Sequence, residues 1–228
     1  MVFGRYWRKP LKGKICERRA KRPKTILIFG ENDNDCHALK HLVEALRPDL
    51  AKIETHRHPM ILGKNTHLSK RKTMCQEIAK LVAARNVVCE VVSVIAHRDC
   101  DQVEPAHKVH RDSLLYDMFA SALPQPVAAT PAFEMEAWWF LWPQALAERR
   151  RCWDEVRSQG QVGKIVNAKE ELRRALRPKA GTAKCPDYTE SDSPKIAENV
   201  KRLGLVRSGQ GTSESFSDFV DQLDKIAI

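Results

Sequence analysis

No apolar run in this 228-residue chain approaches the roughly 18 residues that a membrane-spanning helix requires. The N-terminus is basic with no apolar stretch behind it, so no secretory signal is expected, and the chain reads as a cytoplasmic protein with no membrane partner. The seven cysteines (Cys16, Cys36, Cys75, Cys89, Cys100, Cys152 and Cys185) are odd in number, scattered, and include no Cys-x-x-Cys pair. That pattern speaks against a zinc knuckle or a disulfide framework, and reduced thiols are expected, several of them in the core. His56 with His58, His97 with Cys100, and His107 with His110 could be assembled into a zinc site on paper. Eight histidines spread along the chain generate such spacings by chance. Internal repeats are also missing. What remains is an ordinary globular composition, 43% apolar and 30% charged, long enough for one substantial core.

The charge is distributed unevenly. Of the net +10, nearly all comes from residues 1–24, where ten Lys or Arg face a single acid, Glu17; the rest of the chain is close to neutral. Residues 1–23 therefore read as a basic arm. Its candidate nucleic-acid contacts are Arg5, Tyr6, Trp7, Arg8, Lys9, Arg18, Arg19, Lys21 and Arg22, cations for phosphates with two aromatics for stacking. A solvated tail, or one that docks on an acidic protein, fits the same composition.

Ile26 to Phe29 is a short apolar run that ends at Gly30-Glu31-Asn32-Asp33-Asn34-Asp35. It reads as a buried strand and its C-terminal loop. A helix is expected over 35–46, a second strand over 52–58 and a helix over 69–85. Val87 to Ala96 is the strongest strand signal and ends in His97-Arg98-Asp99-Cys100-Asp101. If the extended conformation persists there, Asp99 and Asp101 point the same way. A helix over 105–123 is expected to bury Val109, Leu114, Leu115, Met118 and Phe119. Residues 126–130 form a fourth strand, followed by Phe133-Glu134-Met135-Glu136-Ala137-Trp138, an aromatic-rich helix start with acids in its first turn. From 146 onward only helices and polar loops are expected, over 167–177, 193–203 and from Ser213 or Ser215 onward. The expectation is an α/β fold, a Toprim- or Rossmann-like, mostly parallel sheet of about four strands flanked by helices. The boundaries are an arm at 1–23, an α/β core at 24–145 and a helical C-terminal extension at 146–228.

Glu31, Asp35, Asp99, Asp101 and Glu136 each follow a proposed strand, hence share one sheet edge. Two such charges about 4 Å apart repel by about 4 kcal/mol at an effective dielectric near 20. A divalent cation removes that penalty, and hard oxygen ligands select Mg²⁺ or Mn²⁺.

These stretches together resemble the Toprim domain of topoisomerases, primases and OLD-type nucleases, which has a glutamate after its first strand and an Asp-x-Asp after its third. They are similar in particular to small bacterial Toprim-like proteins encoded beside an AAA ATPase. The matching residues are Glu31, Asp99 with Asp101, Glu136-Ala137-Trp138, and Ser215-Phe216-x-x-Phe219. The order Gly30-Glu31 reverses the usual Glu-Gly, and the basic arm is not a family feature. The resemblance implies a metal-dependent nuclease acting on DNA or RNA, with one or two Mg²⁺ or Mn²⁺ ions. Glu31, Asp99 and Asp101 would bind metal, Asp35 and Glu136 would support a second ion, and Lys169 or Lys164 would neutralise transition-state charge. It further implies the effector of an anti-phage system, controlled by an AAA-type ATPase partner. The alternatives are a non-catalytic subunit that binds the ATPase or nucleic acid, and a phosphoryl-transfer enzyme acting on nucleotides.

Overall fold

In the computed structural model the described residues are 22–50, 52–57, 68–157, 160–178 and 185–228. The arm contacts from Arg5 to Lys21, and His58 of the expected second strand, lie outside them. The elements run β1 (Lys24–Phe29), α1 (Asp33–Leu46), β2 (Lys52–His56), α2 (Leu68–Arg85), β3 (Glu90–His97), α3 (His107–Ala120), β4 (Pro126–Ala129), α4 (Glu136–Trp139), α5 (Pro143–Arg149), α6 (Ala168–Ala175), α7 (Ser193–Arg202) and α8 (Glu214–Asp224). The four strands form one all-parallel sheet in the order β2-β1-β3-β4, a Rossmann-like α/β arrangement. Among the described residues no helix is long and apolar enough to cross a membrane.

β1, β3 and β4 are buried on both faces, which is why they read as continuous apolar runs, whereas in the edge strand β2 only Ile53 is buried. Alternate residues serve two cores. Ile26, Ile28 and Ile95 face one that includes Leu39 and Leu42 of α1, Ile196 and Val200 of α7, and Phe219 of α8. Leu27, Phe29, Val94 and Ala96 face the other, with Cys75 and Ile78 of α2 and Leu114 and Met118 of α3. The C-terminal helices thus complete one outer layer, α7 packing on α1 and α8 running along β4. At that edge the Gln222 side chain accepts from Ala128 N at 2.9 Å and donates to Ala128 O at 3.2 Å. Its amide stands in for a fifth strand and leaves less of the edge open.

Several expectations need correction. β3 begins at Glu90, not Val87; Val87 and Val88 are exposed in the turn off α2, where Asn86 Oδ1 accepts from Val91 N at 2.8 Å. On α3 the buried stripe is His107, Leu114 and Met118, so Val109 and Phe119 lie on the opposite, exposed side. Cys152 and Cys185 form a disulfide across 33 residues, against the expectation of reduced thiols throughout. Cys36, Cys75, Cys89 and Cys100 are free and buried, as expected for core residues.

Candidate active site

In an open parallel sheet, ligands bind beyond the carboxyl ends of the strands where the order reverses. Here the chain leaves β1 for β2 on one side and resumes at β3 on the other, so that point lies between the ends of β1 and β3. Phe29 pairs with Ala96, which sets Gly30 beside His97. A Cβ at Gly30 would lie 2.9 Å from Cys36 Sγ and 3.5 Å from His97 Nδ1, so this position admits no side chain without displacement. The Gly30-Glu31 order therefore has a local cause: the glycine makes room for the Cys36 thiol against the end of β1, and the first acid comes one residue later.

His97 is the last residue of β3 and is fully buried. Its Nε2 lies 3.2 Å from Asp99 Oδ1 and its Nδ1 lies 3.7 Å from Asp35 Oδ2. Neither ring nitrogen, nor Asp99 Oδ1, makes an aligned hydrogen bond, so these contacts are ion pairs. Burial alone would lower the imidazole pKa, but the Asp99, Asp35 and Glu31 carboxylates outweigh it and raise the value to about 9. His97 is thus enclosed by acids that favour its protonated form.

Asp35 reaches this point from the first turn of α1. Asn32 caps that helix, its Oδ1 accepting from Asp35 N at 2.9 Å while its Nδ2 donates to Asp35 Oδ2 at 2.6 Å. Burial nevertheless raises the Asp35 pKa to about 6, with Asp99 and Glu190 adding to the rise and His97 opposing it. Glu136 opens α4 and is buried; desolvation first, then the charges of Asp99 and Asp35, push its pKa to about 8. Tyr188 OH donates to Glu136 Oε1 at 3.0 Å and contacts Ser193 Oγ at 2.7 Å.

Lys169 enters from the start of α6. Its amide donates to Glu134 Oε2 at 3.2 Å and its ammonium pairs with Glu190. Burial disfavours the ammonium, but Glu190, Glu136 and Glu134 more than compensate and raise its pKa. Glu31, Asp35, Asp99, Glu134, Glu136 and Glu190 are therefore linked by mutual electrostatic influence, with His97 and Lys169 as the cations among them.

Other expected site residues lie elsewhere. Extended backbone does not persist beyond His97: Asp101 has a left-handed φ of 54° and is exposed, its N–H held by Phe133 O at 2.9 Å. It does not share a direction with Asp99 by strand alternation. Lys164 donates to Glu104 O at 2.5 Å. Arg22 donates to Asn86 O at the opposite end of the sheet, beyond the amino end of β3.

His97, Tyr188 and Glu190 were not among the residues expected from sequence. His97 did carry a signal, as a basic residue ending an apolar strand just before an acid. Tyr188 and Glu190 are brought in by a loop far along the chain and carried none. Trp138 packs with Phe216 and Phe219 at ring-centroid distances of 5.2 and 5.5 Å, and its Nε1 donates to Ser215 Oγ at 3.0 Å. The Glu136-Ala137-Trp138 and Ser215-Phe216-x-x-Phe219 motifs are thus one packing unit that fixes the start of α4.

The donor set suits a hard cation, since it is built of carboxylate oxygens and Asp99 Oδ1 is buried without an aligned hydrogen bond. Among the described residues, however, no three His, Cys, Asp or Glu side chains are grouped as a ready metal site. Comparison with protein-family models, with curated proteins and with solved structures returned no match.

Proposed function

We propose that this chain is a Mg²⁺- or Mn²⁺-dependent hydrolase of phosphodiester bonds in nucleic acid. The observation that carries the reading is the gathering of carboxyl groups about His97 at the sheet's switch point, Asp99 Oδ1 at 3.2 Å and Asp35 Oδ2 at 3.7 Å from its ring nitrogens; among the described residues His97 and Lys169 are the basic groups that influence these acids. Asp99, Glu31 and Glu136 would hold the metal, and Asp35 would support them. A bound divalent cation supplies charge neutralisation and polarises a phosphate oxygen or a water. His97 holds Asp99 and Asp35 in place and offsets their repulsion. Tyr188 orients Glu136 through the hydrogen bond to Oε1. Lys169, released from Glu190, would place its ammonium on the substrate phosphate.

The resemblance to Toprim nucleases supports the same reading, and with it the proposal of an antiviral effector working with an AAA-type ATPase. The direct test is cleavage of plasmid DNA and structured RNA with Mg²⁺ or Mn²⁺, comparing the wild type with Asp99→Ala and Glu31→Ala, alone and with any co-purifying ATPase. Cleavage that requires both acids supports the hydrolase; its absence under every condition overturns it.

One observation favours a second reading, a non-catalytic subunit that binds the ATPase or nucleic acid. His97 already lies among the acids as a built-in counterion, as it would in a site that takes no metal. Unchanged partner binding in Asp99→Ala, together with no cleavage by the wild type, would select it.

A further inference from the structure

We infer that the groove between α6 and the segment 187–189 carries the phosphates of a nucleic-acid strand to the acidic site. The groove encloses about 560 Å³; Arg173, Arg174 and Arg177 line one wall and Asp187, Tyr188 and Thr189 the other. Its cations are only loosely committed. Arg174 pairs with the neighbouring Glu171 at 2.8 Å, and Arg173 lies 4.0 Å from Glu170 and 3.4 Å from Tyr188 O. Arg177 makes no ion pair among the described residues. Exposed pairs of this kind contribute about 0–1 kcal/mol, so a phosphate can displace them.

The arrangement is directional. Lys169 and Arg173 sit one turn apart on α6, about 6 Å in rise, and Arg177 follows just past the helix's C-cap at Leu176, lining the same groove as Arg173. Lys169, at the start of α6, reaches the acidic cluster, where it pairs with Glu190 and its charge is felt by Asp35. Tyr188 lines the groove and also donates to Glu136, so groove and site adjoin. Three arginines spread along one wall of an open groove suit an extended polyanion better than one free phosphate, on which donors would converge. Guanidinium groups suit phosphate oxygens because they can bind two at once. Glu170 and Asp187 keep the local charge modest and disfavour indiscriminate binding to anions.

The role of the groove as an approach to catalysis rests on the hydrolase reading, whereas binding does not, and the test separates them. Binding of a fluorescein-labelled single-stranded oligonucleotide to the full chain is measured by anisotropy in EDTA, across a salt series. Arg173→Gln/Arg177→Gln is expected to weaken binding roughly tenfold and to flatten the log–log salt slope by about 1.4, at about 0.7 per phosphate contact. Arg173→Lys/Arg177→Lys should restore most of that slope, which a merely misfolded variant would not permit. Unchanged affinity and slope in the Gln variant overturn the inference, as does no binding by the wild type. A loss confined to Arg18→Gln/Arg19→Gln/Arg22→Gln would transfer the role to the N-terminal arm and overturn it too. Poly-glutamate competing as well as unlabelled oligonucleotide would overturn the assignment to nucleic acid. If the groove arginines matter for binding but no condition yields cleavage, the groove stands and the hydrolase falls; if Asp99→Ala abolishes cleavage while the Gln variant binds normally, the reverse holds.

Discussion

His97 Nε2 stands 3.2 Å from Asp99 Oδ1 at the carboxyl end of β3, and its ring is shielded from solvent. A buried cation enclosed by acids makes the folded state bind protons more tightly than the unfolded chain does. His97 has a folded pKa of about 9 against 6.5, so its contribution is fully present below 6.5 and is lost as pH rises through 9. Glu136 at about 8 and Asp35 at about 6 are raised carboxyls, and they too hold protons that the unfolded chain releases near pH 4. All three act in one direction: in the absence of metal, stability falls as pH rises from about 5 to 9. The slope is about 1.4 kcal/mol per pH unit for each extra proton held. Urea denaturation at several pH values measures it. Glu136→Gln should flatten the slope between pH 5 and 8 and stabilise the chain above that range; a wild-type curve already flat there would refute this account.

Metal binding should reverse that trend. A divalent cation needs the carboxylates deprotonated, so binding competes with the protons just described. Millimolar Mg²⁺ or Mn²⁺ is expected to raise the melting temperature, more at pH 8 than at pH 6, by mass action on the folded state. Asp99→Asn and Glu31→Gln should each abolish most of the shift, whereas Asp101→Asn should retain it, because Asp101 lies on the exposed side of the loop. Thermal unfolding with and without EDTA is the measurement. A shift lost equally in Asp101→Asn would return that residue to the ligand set.

Gly163 cannot carry a side chain at its present distance from Glu104. A Cβ there would overlap the Glu104 carboxyl group, which is buried and fixed by Ser213 Oγ and Ser215 N, each at 2.8 Å. Because the carboxylate is the far end of a flexible chain, the clash could be relieved only by breaking those bonds and leaving buried polar atoms unpaired. Gly163→Ala is expected to cost about 2–4 kcal/mol in chemical denaturation. Combined with Glu104→Ala the two losses should sum to less than their separate values, since the clash partner is gone. Full additivity would contradict the geometry.

The layered α/β plan was legible because parallel strands buried on both faces leave long Ile- and Val-rich runs, and Ile26 to Phe29 and Val91 to Ala96 are such runs. Strand ends were less legible: Val87 and Val88 carry the same composition but belong to a turn, because Asn86 folds back on Val91 N. Glu31, Asp35, Asp99 and Glu136 could be read as converging because the ends of parallel strands share an edge. The direction of Asp101 was not legible from sequence, since the left-handed turn at that residue breaks its alternation with Asp99. Tyr188 and Glu190 reach the site through tertiary packing of a distant loop, for which no local pattern exists. The Cys152–Cys185 bridge is likewise a matter of tertiary proximity.

That bridge gives the last prediction. It closes a loop of 33 residues in sequence separation and ends three residues before Tyr188, on a segment also held by Trp153 Nε1 donating to Pro186 O at 2.8 Å. A cross-link over such a loop restricts the unfolded chain and is worth about 3–4 kcal/mol in the chain-entropy account. Cys185→Ser, or treatment with dithiothreitol, is expected to lower stability by that order, and the reductant should have no further effect on the variant. Cys36 and Cys75 should not confuse the result, because burial above all raises their thiols to about 12 and about 11 and leaves them unreactive in the folded state. The consequence for the site is specific. Losing the bridge loosens the approach to Tyr188, so the hydrogen bond that orients Glu136 weakens, and the pH dependence attributed to Glu136 should shift along with stability. A reduced chain with unchanged stability and an unchanged pH profile would show that the non-covalent contacts, Trp153 with Pro186 and Tyr188 with Glu136 and Ser193, hold the segment without the bridge.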